Sequence, residues 1–150
     1  MLTRQSPPIG FCKVLPLQCQ WNKLFKNRAA KELADLLAPI IAFHVDFNKD
    51  YHYAAYALAM KDTGLIQAQK PNGTLIIRFI NTTFGKKIDH GTLSRYSKKG
   101  EAFKKIEDMY EMIKDIILQA LGREQKLEKD YFQQQDDPFF KRIETLRKAL

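Results

Sequence analysis

The 150 residues of this chain predict an all-α protein. Three observations carry that expectation. Apolar residues recur at spacings of three and four through most of the length, glycine or proline stands where the periodic runs stop, and 45% hydrophobic with 28% charged residues is the balance of a domain that buries a core. The length allows one domain. The pattern divides the chain into an irregular N-terminal arm, 1–20, and a single helical domain, 21–150, that contains a helix-turn-helix-like unit at 74–99.

The first helix is expected over 22–38, where Leu24, Phe25, Ala29, Leu33, Leu36 and Leu37 form one stripe and Pro39, which lacks an amide donor, ends it. Residues 40–47 stay open, because Ile41, Phe43, Val45 and Phe47 alternate as in a strand but have no evident mate. Asn48 or Asp50 is expected to cap a helix over 51–61, rich in Ala, Leu and Met, that stops at Gly64.

Residues 65–79 allow two readings. Asn72-Gly73 supplies the positive φ angles of a β-hairpin turn, whereas Leu75, Ile76, Phe79, Ile80 and Phe84 fit a helix with Thr74 as N-cap and Gly85 as stop. The helical period runs longer and is preferred, with a small β-hairpin at 65–79 as the alternative. Over 101–121, Phe103, Ile106, Tyr110, Ile113, Ile117 and Leu121 mark a long amphipathic helix stopped by Gly122. The polar stretch 123–135 keeps a weaker helical spacing through Leu127, Tyr131 and Phe132. Asp137 ahead of Pro138 reads as the N-cap of a last helix with the stripe Phe139, Phe140, Ile143, Leu146 and Leu150.

Composition narrows the function. Nothing approaches the roughly 18 uninterrupted apolar residues of a membrane-spanning helix. Pro7, Pro8, Lys13 and Gln18 break any continuous signal-peptide core, so a cytoplasmic protein is expected. Cys12 and Cys19 are too few for a disulfide scaffold or a four-ligand zinc site and are read as reduced thiols. His44, Asp46, Asp50 and His52 lack the helical spacing, with a third ligand supplied elsewhere, that a metal site requires. There is no phosphate-cradling glycine loop and no nucleophile elbow, and the acids of the last third alternate with lysines as on a solvated face. No catalytic activity, metal or cofactor is expected.

The net charge of +8 is unevenly spread: +3 over 1–48, +6 over 49–100 and −1 over 101–150. Lys86, Lys87, Arg95, Lys98 and Lys99 fall within one short segment opposed by Asp89 alone, which points to a polyanionic partner. Residues 74–99 read TLIIRFINTTFGKKIDHGTLSRYSKK: a helix, a glycine stop, a polar turn, an apolar tether at Ile88 and a second short helix from near Asp89. Those are the parts of a helix-turn-helix, whose second helix enters the major groove. On that second helix Leu93 and Tyr96 face inward, while Gly91, Ser94, Arg95 and Lys98 face out. Arg95 suits guanine or phosphate, Thr92 and Ser94 suit phosphate oxygens, and Gly91 lets the backbone come close. Lys86, Lys87, Lys98 and Lys99 suit flanking phosphates, and His90 reads as a helix-start residue or phosphate contact.

The Thr92–Arg95 run, T-L-S-R, resembles the T-V-S-R run that opens many bacterial recognition helices. More broadly, the order YALAMKDTGLI, NGT opening a helix, then INTTFGKKI and a short helix, over about 53–96, resembles the C-terminal region of the RteC-like regulatory proteins of Bacteroidetes conjugative transposons. That resemblance implies a winged-helix-like DNA-binding part and a role in transcription or excision of a mobile element. The expected function is a DNA-binding regulator with duplex DNA as partner. The alternative is a helical interaction module without nucleic-acid binding. Either could form a homodimer through helix 101–121 or 138–150.

Overall fold

The computed structural model describes residues 17–67, 73–96, 100–122, 131–132 and 136–150. Among these residues every regular element is helical, so the protein is all-α. Helices α1 (Leu17–Leu24), α2 (Arg28–His44), α3 (His52–Thr63), α4 (Gly73–Phe84), α5 (His90–Arg95), α6 (Glu107–Leu121) and α7 (Asp137–Lys148) follow in order, with a 3-10 turn at Ala102–Lys105 ahead of α6. Segment 73–84 is helical, not the second arm of a hairpin, because Leu75, Ile76, Ile77, Phe79 and Ile80 bury a helical stripe. Thr74 lies inside the first turn of α4 rather than at its cap.

Helix α3 organises the rest. Tyr53, every residue from Ala54 to Met60, and Thr63 are buried, so the helix is enclosed on all sides and shows almost no amphipathicity. Small alanines at positions 54, 55, 57 and 59 let neighbouring helices approach closely. Helix α6 packs along it most extensively, and Tyr110 near the start of α6 donates a hydrogen bond to Asp62 near the end of α3, so the two run antiparallel. Helix α7 lies on α2, and α4 covers another side of the core with Phe84 against Phe47, Tyr53 and Tyr56.

Several boundaries differ from the sequence expectation, each for a local reason. The helix expected over 22–38 is two helices. Phe25 turns into the core, edge-on to Trp21 and Phe79, and Asn27 caps the next helix by accepting from the Ala30 amide at 2.9 Å. Helix α1 begins at Leu17, within the stretch expected as irregular arm. Pro39 does not end α2. It stands on an exposed face where Asp35, whose carbonyl loses its amide partner, is exposed as well, so water can take the place of that donor. The apparent alternation over 40–47 is helical as far as His44: Leu37, Ile41 and Val45 are buried at spacings of four, while Phe43 is 75% exposed.

Neither Asn48 nor Asp50 caps α3 with its side chain; Tyr51 occupies the cap, and the first amides bond to the carbonyls three residues back. The long helix expected over 101–121 breaks at Ile106 (φ −120°, ψ 6°), because the three-residue period of the preceding 3-10 turn puts Phe103 and Ile106 together on the core side. The cap of α7 is Asp136, not Asp137: its side chain accepts from the Phe139 amide at 3.0 Å, with Pro138 in the first turn where no amide donor is needed.

The apolar stripes offered as dimer surfaces are used inside the chain. Phe103, Ile106, Tyr110, Ile113, Ile117 and Leu121 are all buried, as are Ile143 and Leu146 of α7. Phe139, Phe140 and Leu150 of the α7 stripe are half-buried and pack against the same core.

Candidate nucleic-acid interface

The unit singled out by charge is held together by groups that the periodic pattern does not mark. Helix α4 stops at Gly85, whose φ of 65° is the left-handed conformation that a residue without Cβ adopts without strain. The Lys86 amide bonds back to the Asn81 carbonyl at 3.1 Å, the six-to-one contact of a Schellman cap. The Asn81 side chain then spans the turn: its Oδ1 accepts from the Ile88 amide at 2.9 Å, and its Nδ2 donates to the Ile88 carbonyl at 3.1 Å. Ile88 itself is buried, which is the apolar tether expected of it.

Asp89 opens α5. Its Oδ1 accepts from the Gly91 amide and its carbonyl from the Thr92 amide. A Cβ on Gly91 would stand 3.1 Å from that Oδ1, so Gly91 has a local reason to be glycine beside the close approach inferred from sequence. At the other end of α5, Tyr96 is buried and stacks on Tyr51 with ring centroids 5.2 Å apart and planes 15° apart, joining α5 to the start of α3. Tyr51 and Asn81 are thus the positioning residues that sequence reasoning missed. The available signal was a polar side chain on the apolar face of α4 a few residues before its glycine stop.

The sequence-derived contact residues fall as follows. Lys86, Lys87, Gly91 and Arg95 are exposed and Thr92 is half-buried. His90 and Ser94 lie within α5. Lys98 and Lys99 lie outside the described residues. Among the described residues no acid pairs with Lys86, Lys87 or Arg95, in contrast to Lys31, which pairs with Asp35 at 2.6 Å, and Arg142, which pairs with Glu32. Three uncompensated cations on one turn and its short helix can neutralise phosphates, and the planar Arg95 fork can take two acceptors at once.

The remaining groups weighed for chemistry have structural partners. His52 Nδ1 accepts from the Lys49 amide at 3.2 Å, and His44 Nε2 lies 3.3 Å from the Tyr131 carbonyl. Among the described residues no three His, Cys, Asp or Glu side chains gather as a metal site would require, and no helix is long and apolar enough to cross a membrane. No protein-family model, curated protein or solved structure matches the chain.

Proposed function

We propose that this protein is a non-enzymatic regulator that binds duplex DNA through the α4–α5 unit, with α5 in the major groove and Lys86, Lys87 and Arg95 on its rim. The observation that carries this reading is the coincidence of unpaired cations with a rigid mount. Asn81 clamps the turn from one side and the Tyr51–Tyr96 stack fixes the far end, so the cations are displayed by backbone that cannot easily recoil. Its role in a bacterial mobile element rests on the RteC-like resemblance over about 53–96, and a cytoplasmic location follows from that role.

Salt-dependent binding to a duplex tests it. Affinity should fall steeply with salt, Lys86→Ala with Lys87→Ala should flatten the dependence, and Arg95→Ala should weaken binding about tenfold. Failure of the wild type to bind at low salt would refute the reading.

One observation favours the interaction-module alternative: Phe43 is 75% exposed at the end of α2, with Pro39 and Ala42 exposed beside it. If that edge is the working surface, Phe43→Ser abolishes self-association in sedimentation while DNA binding is absent.

A further inference from the structure

The break at Ile106 uncovers a charge boundary inside what the sequence pattern presents as one helix. Residues 86–105 hold seven basic side chains against Asp89 and Glu101, whereas residues 107–121 hold four acids against Lys114. The 3-10 turn Ala102–Lys105 therefore belongs by charge to the α4–α5 unit. The acids Glu107, Glu111 and Asp115 begin only beyond the break and repeat at four-residue spacing on the exposed side of α6.

That turn is firmly seated. Phe103 is buried edge-on to Tyr110, with ring centroids 5.2 Å apart, and Ile106 is buried behind it. The amides of Phe103, Lys104 and Ile106 bond to the carbonyls of Gly100, Glu101 and Phe103. Between the two apolar anchors Lys104 and Lys105 are both exposed. Glu101 lies 3.5 Å from the Lys104 ammonium, but both side chains are largely in solvent, where such a pair is worth little and yields readily to a phosphate.

The turn is tied to α3 through Tyr110 of α6, whereas α5 meets α3 directly. Tyr96 stacks on Tyr51, just before the first residue of α3, whereas Phe103 leans on Tyr110, which bonds to Asp62 near the end of α3. The two anchors thus lie toward opposite ends of α3, a 12-residue helix about 18 Å long. A B-DNA major groove is about 12 Å wide, so a span of that size reaches from one phosphate wall to the other.

We propose that Lys104 and Lys105 rest on the phosphates across the groove from α5, giving the protein two separate lines of contact with the DNA backbone. This rests on the α4–α5 reading above. The 3-10 turn acts as a second clamp, setting how α5 is aligned in the groove without touching a base. Glu101 moderates that clamp by competing for Lys104.

Fluorescence anisotropy with a mixed-sequence duplex of about 30 base pairs tests the proposal at several salt concentrations. A Lys104→Gln, Lys105→Gln protein with wild-type helicity should bind about tenfold more weakly near 0.1 M salt and lose about two from the log–log salt slope. Glu101→Gln should bind about twofold more tightly. Lys141→Gln with Lys148→Gln on α7 should leave both quantities unchanged. If the 104/105 protein binds like wild type while Arg95→Ala weakens binding, the second clamp is wrong and the α5 reading stands. If the α7 pair loses as much as the 104/105 pair, attraction is a matter of net charge and the clamp is wrong. If wild type does not bind at low salt, both readings fall.

Discussion

The side-chain amide of Asn81 makes both main-chain hydrogen bonds of Ile88, donating to its carbonyl at 3.1 Å and accepting from its amide at 2.9 Å. A residue seven positions away thus takes the place of a strand partner and holds the turn of the α4–α5 unit without regular structure. No other amino acid of similar size offers a donor and an acceptor in that geometry.

Asn81→Leu should therefore destabilise the protein by about 2 kcal/mol, since two half-buried bonds at about 1 kcal/mol each are lost and the Ile88 groups are left without them. Asn81→Asp keeps the acceptor but not the donor, and adds a negative charge beside Lys86 and Lys87. It should cost less stability than Asn81→Leu and more DNA affinity. Urea midpoints at neutral pH, read beside duplex binding, separate the two effects. An Asn81→Leu midpoint equal to wild type would show that the turn is held by Ile88 burial alone.

The stack of Tyr96 on Tyr51 depends on the rings, because nothing in its geometry calls on the hydroxyls. Tyr96→Phe should leave the unfolding free energy from urea titration within about 0.5 kcal/mol of wild type. Tyr96→Ala should cost about 3 kcal/mol and release the C-terminal end of α5. Hydrogen exchange at the α5 amides is the sharper measurement. Protection there should fall in Tyr96→Ala while the amides of α3 and α6 stay protected, since local opening need not reach the core.

What was legible in the sequence was apolar period and stop chemistry. Gly64, Gly85 and Gly122 all adopt positive φ at the ends of helices, and the burial of Ile88 and Tyr96 followed from their spacing. What escaped were features in which a polar side chain or a tertiary contact overrides that period. Asn27 ends a helical run because it can cap the next one and Phe25 has a core site to fill. Pro39 is tolerated because its face of α2 is wet. The 3-10 turn keeps the same three-residue spacing as an α-helix stripe, so period alone cannot reveal the break at Ile106. The site was legible as charge, through Lys86, Lys87 and Arg95, but its mounting was not. Asn81 acts through two hydrogen bonds to a residue seven positions on and Tyr51 through one ring stack on a distant residue, and neither leaves a periodic trace.

Tyr56 is completely buried, and its hydroxyl finds no hydrogen-bond partner among the described residues. Burial first, and the nearby Asp35 carboxylate second, push its ionisation well above the ordinary tyrosine value of 10.0. Below pH 10 both folded and unfolded forms keep the proton, so this group gives stability no pH dependence. Above it the unfolded chain releases the proton while the folded one cannot, and stability falls by about 1.4 kcal/mol per pH unit from this residue. Tyr56→Phe should remove that share of the alkaline loss and, with no bond to sacrifice, should match or exceed wild-type stability at pH 7. Thermal melts between pH 7 and 11 for the two proteins test this. Parallel curves would show that Tyr56 ionises as freely folded as unfolded.

Arg147 and Gly122 form one device for ending α6. The Arg147 Nε donates to the Ala120 carbonyl at 2.9 Å, supplying a charged donor to a helix end that lacks amide partners. To reach it the guanidinium passes so close to Gly122 that a Cβ there would lie 3.0 Å from it, and Gly122 stands at φ 73°. Arg147→Met keeps the aliphatic stem and should cost about 1 to 2 kcal/mol for a half-exposed charged bond. Gly122→Ala should cost about 1 to 2 kcal/mol for the left-handed backbone, and more while Arg147 is there to be displaced. The two losses should therefore not add. In the double variant the crowding has already gone, so the combined loss should fall short of the sum by at least 0.5 kcal/mol, about the smallest coupling such cycles resolve. Urea unfolding of the four proteins measures that coupling, and strict additivity would mean that the guanidinium can move aside without giving up the carbonyl.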